Sequence, residues 1–219
     1  MEARQPLPDL WAGIEGFDEE QADGALVGLL WDVPLAEAIE RVVIPFLEDL
    51  GARWEEGSLS VAHEHFASDL LRRRLTALVH RHELLPVQGR RRPRAVLACP
   101  PGERHDLVLL CFALLLGEHG WRTTFLGADT PIDSVARTAR RADADAVVIA
   151  STRTSRLTAN REALAELAGD HPVYVAGRGA DVEVARVLGA RLLPADLVAA
   201  LEHVVPRHRD GTPRSVVQR

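Results

Sequence analysis

The chain has 219 residues, enough for one large domain or two small ones at roughly 100–200 residues per domain. Its 26 basic and 32 acidic side chains leave a formal charge of −6, which argues against the broad phosphate-binding surface that direct DNA recognition needs. Every basic residue is Arg, so a P-loop lysine, a Schiff-base lysine and a Ser-Lys nucleophilic pair are excluded. The longest apolar run, Leu107 to Gly117, falls short of the ~18 residues of a membrane span and reads as a buried helix. Met1 to Pro6 lack a secretory pattern, so a cytoplasmic location is expected. Cys99 and Cys111 form no paired motif and sit in apolar surroundings, where free cysteine behaves as a small hydrophobe.

From Asp18 to His82 apolar residues recur at helical spacing, and about four helices are expected, near 7–14, 18–31, 34–54 and 60–82. Pro34 suits a first turn, Gly51 and Gly57 suit breaks, and Pro45 should kink the third helix by removing a backbone donor. Leu84 to Arg94 carries two prolines, a glycine and the run Arg90-Arg91-Arg92, the composition of a solvated linker. Short apolar runs then alternate with helical stretches. Strands are expected at Ala95–Cys99, Thr123–Leu126, Ala146–Ala150, Val173–Ala176 and Arg191–Leu193, with helices near 105–119, 131–142, 158–168, 181–188 and 195–204. The fold class is therefore α/β with an N-terminal α domain: a four-helix bundle followed by a flavodoxin-like (Rossmann-like) five-stranded parallel sheet of strand order 2-1-3-4-5. The division expected is a helical half over 1–84, a linker over 85–94, the sheet half over 95–206 and a tail over 207–219.

In such a sheet the ligand crevice lies beyond the carboxyl ends of the strands. After the first strand come Glu103-Arg104-His105-Asp106, where a neutral imidazole could bind a metal through one nitrogen while Glu103 or Asp106 orients the other. On spacing alone a decorated helix start with an exposed His105 is favoured, because nothing nearby completes a zinc-like ligand set; a metal that brings most of its own ligands would need only this one. After the third strand come Ser151 and Thr152, and after the fourth Gly177-Arg178-Gly179, hydroxyls that can bond a ligand and glycines that permit close approach. Gly127 and Gly189 read as ordinary turn residues. Pro100-Pro101 stand where a dinucleotide fingerprint would need glycines. In the helical half Trp54 ends one helix while Glu64 and His65 open the next, a grouping that periodicity leaves undecided between core, helix start and site.

These pieces in this order resemble the light-sensing half of the MerR-type cobalamin-dependent photoreceptor repressors. The family pattern of a Trp, nine residues, then Glu-His is met by Trp54 and Glu64-His65. The pattern Asp/Glu-x-His-x-x-Gly is met in its first half by Glu103 and His105, and similarity continues through Leu126 to Pro131. The resemblance implies His105 as lower axial cobalt ligand, and Trp54, Glu64 and His65 over the upper corrin face holding an adenosyl group. It also implies Glu103, Ser151, Thr152, Gly177 and Gly179 as further cofactor-binding positions. Val108 replaces the pattern's Gly, Ser151-Thr152-Arg153 only partly matches a Ser-x-Leu, Ala176-Gly177 replaces a Gly-Gly pair, and Glu55 stands where some members carry a His that ligates cobalt after illumination. The family's N-terminal DNA-binding domain has no counterpart before the bundle. The resemblance leads to the expectation of an adenosylcobalamin-binding sensor that is not an enzyme, regulates transcription through a protein partner without binding DNA itself, and is compatible with self-association. Two competitors are a corrinoid methyl-carrier subunit of a methyltransferase and a cobalamin-free interaction module.

Overall fold

A computed structural model of the chain describes residues 6–31, 33–83 and 91–205. The helical half opens with α1 (Pro6–Glu15) and α2 (Glu19–Trp31). Asp18 caps α2, its Oδ1 accepting from the Gln21 amide at 3.0 Å, which satisfies one of the orphan donors of a helix start. The expected helix over 34–54 is built in three pieces: α3 (Leu35–Ala38), a π turn (Ile39–Val43) and α4 (Ile44–Glu55). Pro45, in the first turn of α4, is the reason. It cannot donate to the carbonyl four residues back, and the wider turn, in which the Ile44 amide donates to Ile39 O, replaces a simple kink.

The next helix, α5 (Val61–Glu83), starts at a reciprocal cap in which His63 takes the place usual for Glu: the Ser60 amide donates to His63 Nδ1 at 3.3 Å. Leu70, Leu71 and Leu75 on α5 are buried against Leu10, Leu26 and Phe46. Residue 84, residues 85–90 of the expected linker and all of the expected tail lie outside the described residues. Of the arginine run, Arg91 is not simply solvated but pairs with Asp143 and Asp145, and Arg92 Nε donates to Gly120 O at 3.0 Å.

The second half is a parallel sheet in the order β2-β1-β3-β4-β5, as the strand-helix alternation predicts. The strands are β1 (Arg94–Ala98), β2 (Arg122–Gly127), β3 (Ala146–Ala150), β4 (Val173–Ala176) and β5 (Arg191–Leu192). The period of two along β1 and β3 sorts their side chains. Val96, Val147 and Ile149 face one layer of helices, α7 (Ile132–Ala142), α9 (Arg161–Asp170) and α10 (Val182–Val187), while Leu97 and Val148 face α6 (Leu107–Glu118) and α11 (Leu197–Val204).

Helix α6 is buried without interruption from Leu109 to Gly117, since the sheet lies on one side of it and α5 on the other. The bundle and the sheet thus share one apolar core, and α5 is the element that joins them. The helix expected over 158–168 is α9, and a short helix outside the expected set, α8 (Thr154–Thr158), precedes it. That extra turn sits directly beyond the carboxyl end of β3, where the site lies. Among the described residues no helix is long and apolar enough to cross a membrane.

Candidate functional site

Glu103 is fully buried in the loop after β1, and it organises the carboxyl end of the sheet. Its Oε1 accepts from the His105 amide at 3.0 Å and lies 2.7 Å from His105 Nδ1. Its Oε2 accepts from the Thr152 amide and hydroxyl at 2.7 Å each and lies 3.1 Å from Ser151 Oγ. Arg156 on α8 donates to the same oxygen at 2.6 Å. Burial alone would raise the Glu103 carboxyl, but the His105 and Thr152 amides, the Thr152 hydroxyl and the His105 ring outweigh it and hold the group well below the usual carboxylate range.

A carboxylate so held can only accept, which fixes the tautomer of its neighbour. Nδ1 is then the nitrogen that carries a hydrogen, so in the neutral His105 ring Nε2 is the one with the open electron pair, on a side chain that is 72% exposed. This is the arrangement of a metal-binding imidazole whose second nitrogen is oriented by a carboxylate. Of the two candidate orienting acids, Glu103 and Asp106, Glu103 takes the role.

Asp106 does something else. It is buried, and it receives both terminal nitrogens of Arg72 from α5, Nη2 to Oδ1 at 2.5 Å and Nη1 to Oδ2 at 3.1 Å, together with the Ala128 amide at 3.1 Å. Gly127 is accordingly more than an ordinary turn residue. Its φ is +75°, and a Cβ there would stand 3.0 Å from Asp106 Oδ2. No sequence motif marks Arg72, Arg156 or the partnership of Asp106. Only Arg72's place on the same helix as Glu64 could have hinted at any of them.

Ser151 and Thr152 both meet the Glu103 carboxylate. Gly177 and Gly179 seat the loop after β4 against the loop after β3: a Cβ on Gly177 would stand 2.5 Å from Ser151 O, and one on Gly179 2.5 Å from the Arg153 carbonyl carbon. Their lack of a side chain is required by that packing. Val108, where the family pattern has Gly, is exposed on the first turn of α6. The Cys99 thiol is pushed up to about 12 by burial, with Asp106 and Glu103 adding to it, and stays protonated.

The second group of residues lies in the helical half. A tight connection folds back on the end of α4, the Ser58 and Leu59 amides donating to Arg53 O at 3.0 and 3.2 Å, and this brings Trp54 beside the start of α5. Trp54 is 46% exposed, an unusual state for an indole. Ser68 Oγ donates to Glu64 Oε1 at 2.7 Å, while His65 is exposed and its Nε2 lies 3.6 Å from Glu64 Oε2. Glu64, Ser68 and Arg72 follow one another at four-residue spacing on α5, about 12 Å end to end at 1.5 Å per residue. No hydrogen bond, ion pair or ring contact joins Trp54, Glu64 or His65 to His105 among the described residues; α5 and the Arg72–Asp106 pair are the link.

A family model described as "B12 binding domain" matches residues 93–205, and a second of the same description matches 8–79. The chain belongs to the B12-binding domain family. Over 188 residues this B12-binding chain is 36% identical to the HTH-type transcriptional repressor CarH of Myxococcus xanthus, covering 80% of the chain and 60% of that protein. It is 29% identical over 182 residues to the repressor CarA of the same organism, covering 82% and 60%. The chain therefore spans about 60% of the length of either repressor. Its fold matches the Methanosarcina barkeri monomethylamine corrinoid protein with a TM-score of 0.71 at 14% identity, covering 91% of this chain and 97% of that one.

The geometry fits the cofactor of the family. Among the described residues no cluster of three or more His, Cys, Asp or Glu could hold a metal ion by itself, so an imidazole as exposed and oriented as His105 suits a metal that arrives with its other ligands, as cobalt does in a corrin ring.

Proposed function

We propose that this B12-binding chain is an adenosylcobalamin-dependent light sensor that controls transcription through a protein partner. His105 serves as the lower cobalt ligand, and Trp54, Glu64 and His65 hold the adenosyl group above the corrin. The observation that carries the reading is the His105–Glu103 pair, an exposed imidazole with its tautomer fixed and its Nε2 open. Similarity to two transcriptional repressors supports the regulatory half of the reading. The charge of −6 favours a protein partner over direct contact between this chain and DNA.

When bound, adenosylcobalamin supplies a cobalt–carbon bond that light breaks. The chain's part is to hold the upper group between an indole and polar acceptors, and to respond when it leaves. Trp54 then loses the surface it packs on, and α5, which carries Glu64 at one end and Arg72 further along, is the route by which the change reaches the sheet half. A partner that binds the two states with different affinity completes the switch.

The test is a comparison of adenosylcobalamin and methylcobalamin binding, in the dark and after green light, for wild type, Trp54→Ala and Glu64→Ala. A site that reads the adenosyl group should lose about 1–3 kcal/mol of adenosylcobalamin affinity in each variant, with little change for methylcobalamin. Light should convert the spectrum of the adenosyl complex irreversibly. Equal binding of both cobalamins and equal response to the substitutions would replace the sensor by the methyl carrier, and binding of neither would leave the interaction module.

A further inference from the structure

The donors around Glu103 divide unevenly between its two oxygens. Oε1 receives His105 alone, through the amide and Nδ1, while Oε2 is met by Thr152, Ser151 and Arg156. Among the described residues Arg156 is the one guanidinium that touches this carboxylate. Its Nη1 also donates to Thr152 Oγ1 at 3.1 Å, so the hydroxyl must turn its own proton onto Oε2. A single side chain thereby supplies the charge that a buried carboxylate needs and sets the direction of a neighbouring donor.

Arg156 is itself held in place. Its amide donates to Arg153 O at 3.2 Å, and its carbonyl accepts from Asn160 Nδ2 at 2.8 Å. Its Nε lies 3.8 Å from where a Cβ on Gly102 would stand, so the guanidinium runs alongside the loop that carries Glu103 and His105. The side chain is only 23% exposed.

We propose that Arg156 is the positioning residue of the lower-ligand site: by engaging Oε2 it leaves Oε1 to His105, which locks the Nδ1–H tautomer and keeps Nε2 as the open electron pair. The part of this that concerns cobalt rests on His105 being the lower ligand; the part that concerns the tautomer does not. Arg156 never touches the ligand position and acts through Glu103. Lysine in its place keeps a charge but lacks the rigid planar group that aims the Nη1 hydrogens at Glu103 Oε2 and Thr152 Oγ1.

The experiment uses long-range proton–nitrogen correlation spectra of the cofactor-free chain, which report the His105 tautomer directly, for wild type, Arg156→Gln and Arg156→Lys. Wild type should show the Nδ1–H form alone. Arg156→Gln should show a mixture of tautomers, and Arg156→Lys a smaller shift of the same sign. In parallel titrations with hydroxocobalamin, Arg156→Gln should bind about 10–100-fold more weakly, the usual effect of removing a residue that orients a metal ligand, with Arg156→Lys in between. A purely structural role would lower the melting temperature of both variants without moving the tautomer.

A wild-type tautomer pattern in folded Arg156→Gln overturns the proposal whatever the affinity, and Arg156→Lys decides it on the same criterion if the Gln variant does not fold. Failure of wild type to bind cobalamin would count against the functional reading alone, because the tautomer measurement needs no cofactor.

Discussion

His105 can serve a metal only while Nε2 keeps its electron pair, and that depends on Glu103 remaining an acceptor. The Glu103 carboxyl titrates below the ordinary value of about 4.3, so its folded-state pKa is depressed. Its stabilisation is therefore fully present above about pH 4.3 and is lost as the pH falls below that toward the folded value. Glu103→Gln removes the charge and presents an amide N–H₂ where donors already converge. The variant should lose about 2–3 kcal/mol at neutral pH, since Arg156 and the Thr152 amide lose their charged acceptor. Its stability should also fall less steeply than that of wild type as the pH drops from about 5 to about 3, because one titrating group is gone. Urea unfolding at a series of pH values measures both effects; parallel acid limbs for the two proteins would show that Glu103 is not the group responsible.

Helix α5 joins two places that are far apart in sequence, carrying Glu64 near its start and Arg72 onto Asp106 beside His105. Arg72→Ala leaves the buried Asp106 with the Ala128 amide as its remaining donor. The expected cost is about 1–3 kcal/mol. Hydrogen exchange should quicken in α5 and in the loop before α6 while β3 and β4 stay protected, since those strands gain nothing from the pair. Uniform acceleration across the chain, or none, would contradict the assigned role of this contact.

The helices and the strand order are legible in the sequence because each repeats a periodic pattern over many residues, whereas His105, in the loop after β1, is singled out by the family pattern it shares with Glu103 and not by its spacing. Arg72, Arg156 and the duty of Gly127 are not legible. Arg72 meets Asp106 across 34 positions, and Arg156 rides on a five-residue helix too short to show a period. The π turn is half legible: Pro45 announces a disturbance, but which turn widens is decided by the packing of Ile39 and Val43 into the core.

Taken together, the bundle and the sheet half are one packed body, joined by the buried faces of α5 and α6 and by the Arg72–Asp106 pair. In the proposed sensor, a change at Glu64 would reach the loop that carries His105 through α5 and its Arg72–Asp106 pair. The proposed function rests on His105 as the lower cobalt ligand, and the nuclear spin of nitrogen would report that bond. The chain is produced with 15N-labelled histidine, loaded with cob(II)alamin, and studied by electron paramagnetic resonance. Ligation by His105 Nε2 should change the superhyperfine pattern from the triplets of a 14N ligand to the doublets of a 15N ligand, and His105→Ala should abolish the doublets. Triplets that survive labelling, or a labelled spectrum unaltered in His105→Ala, would exclude His105 as the lower ligand.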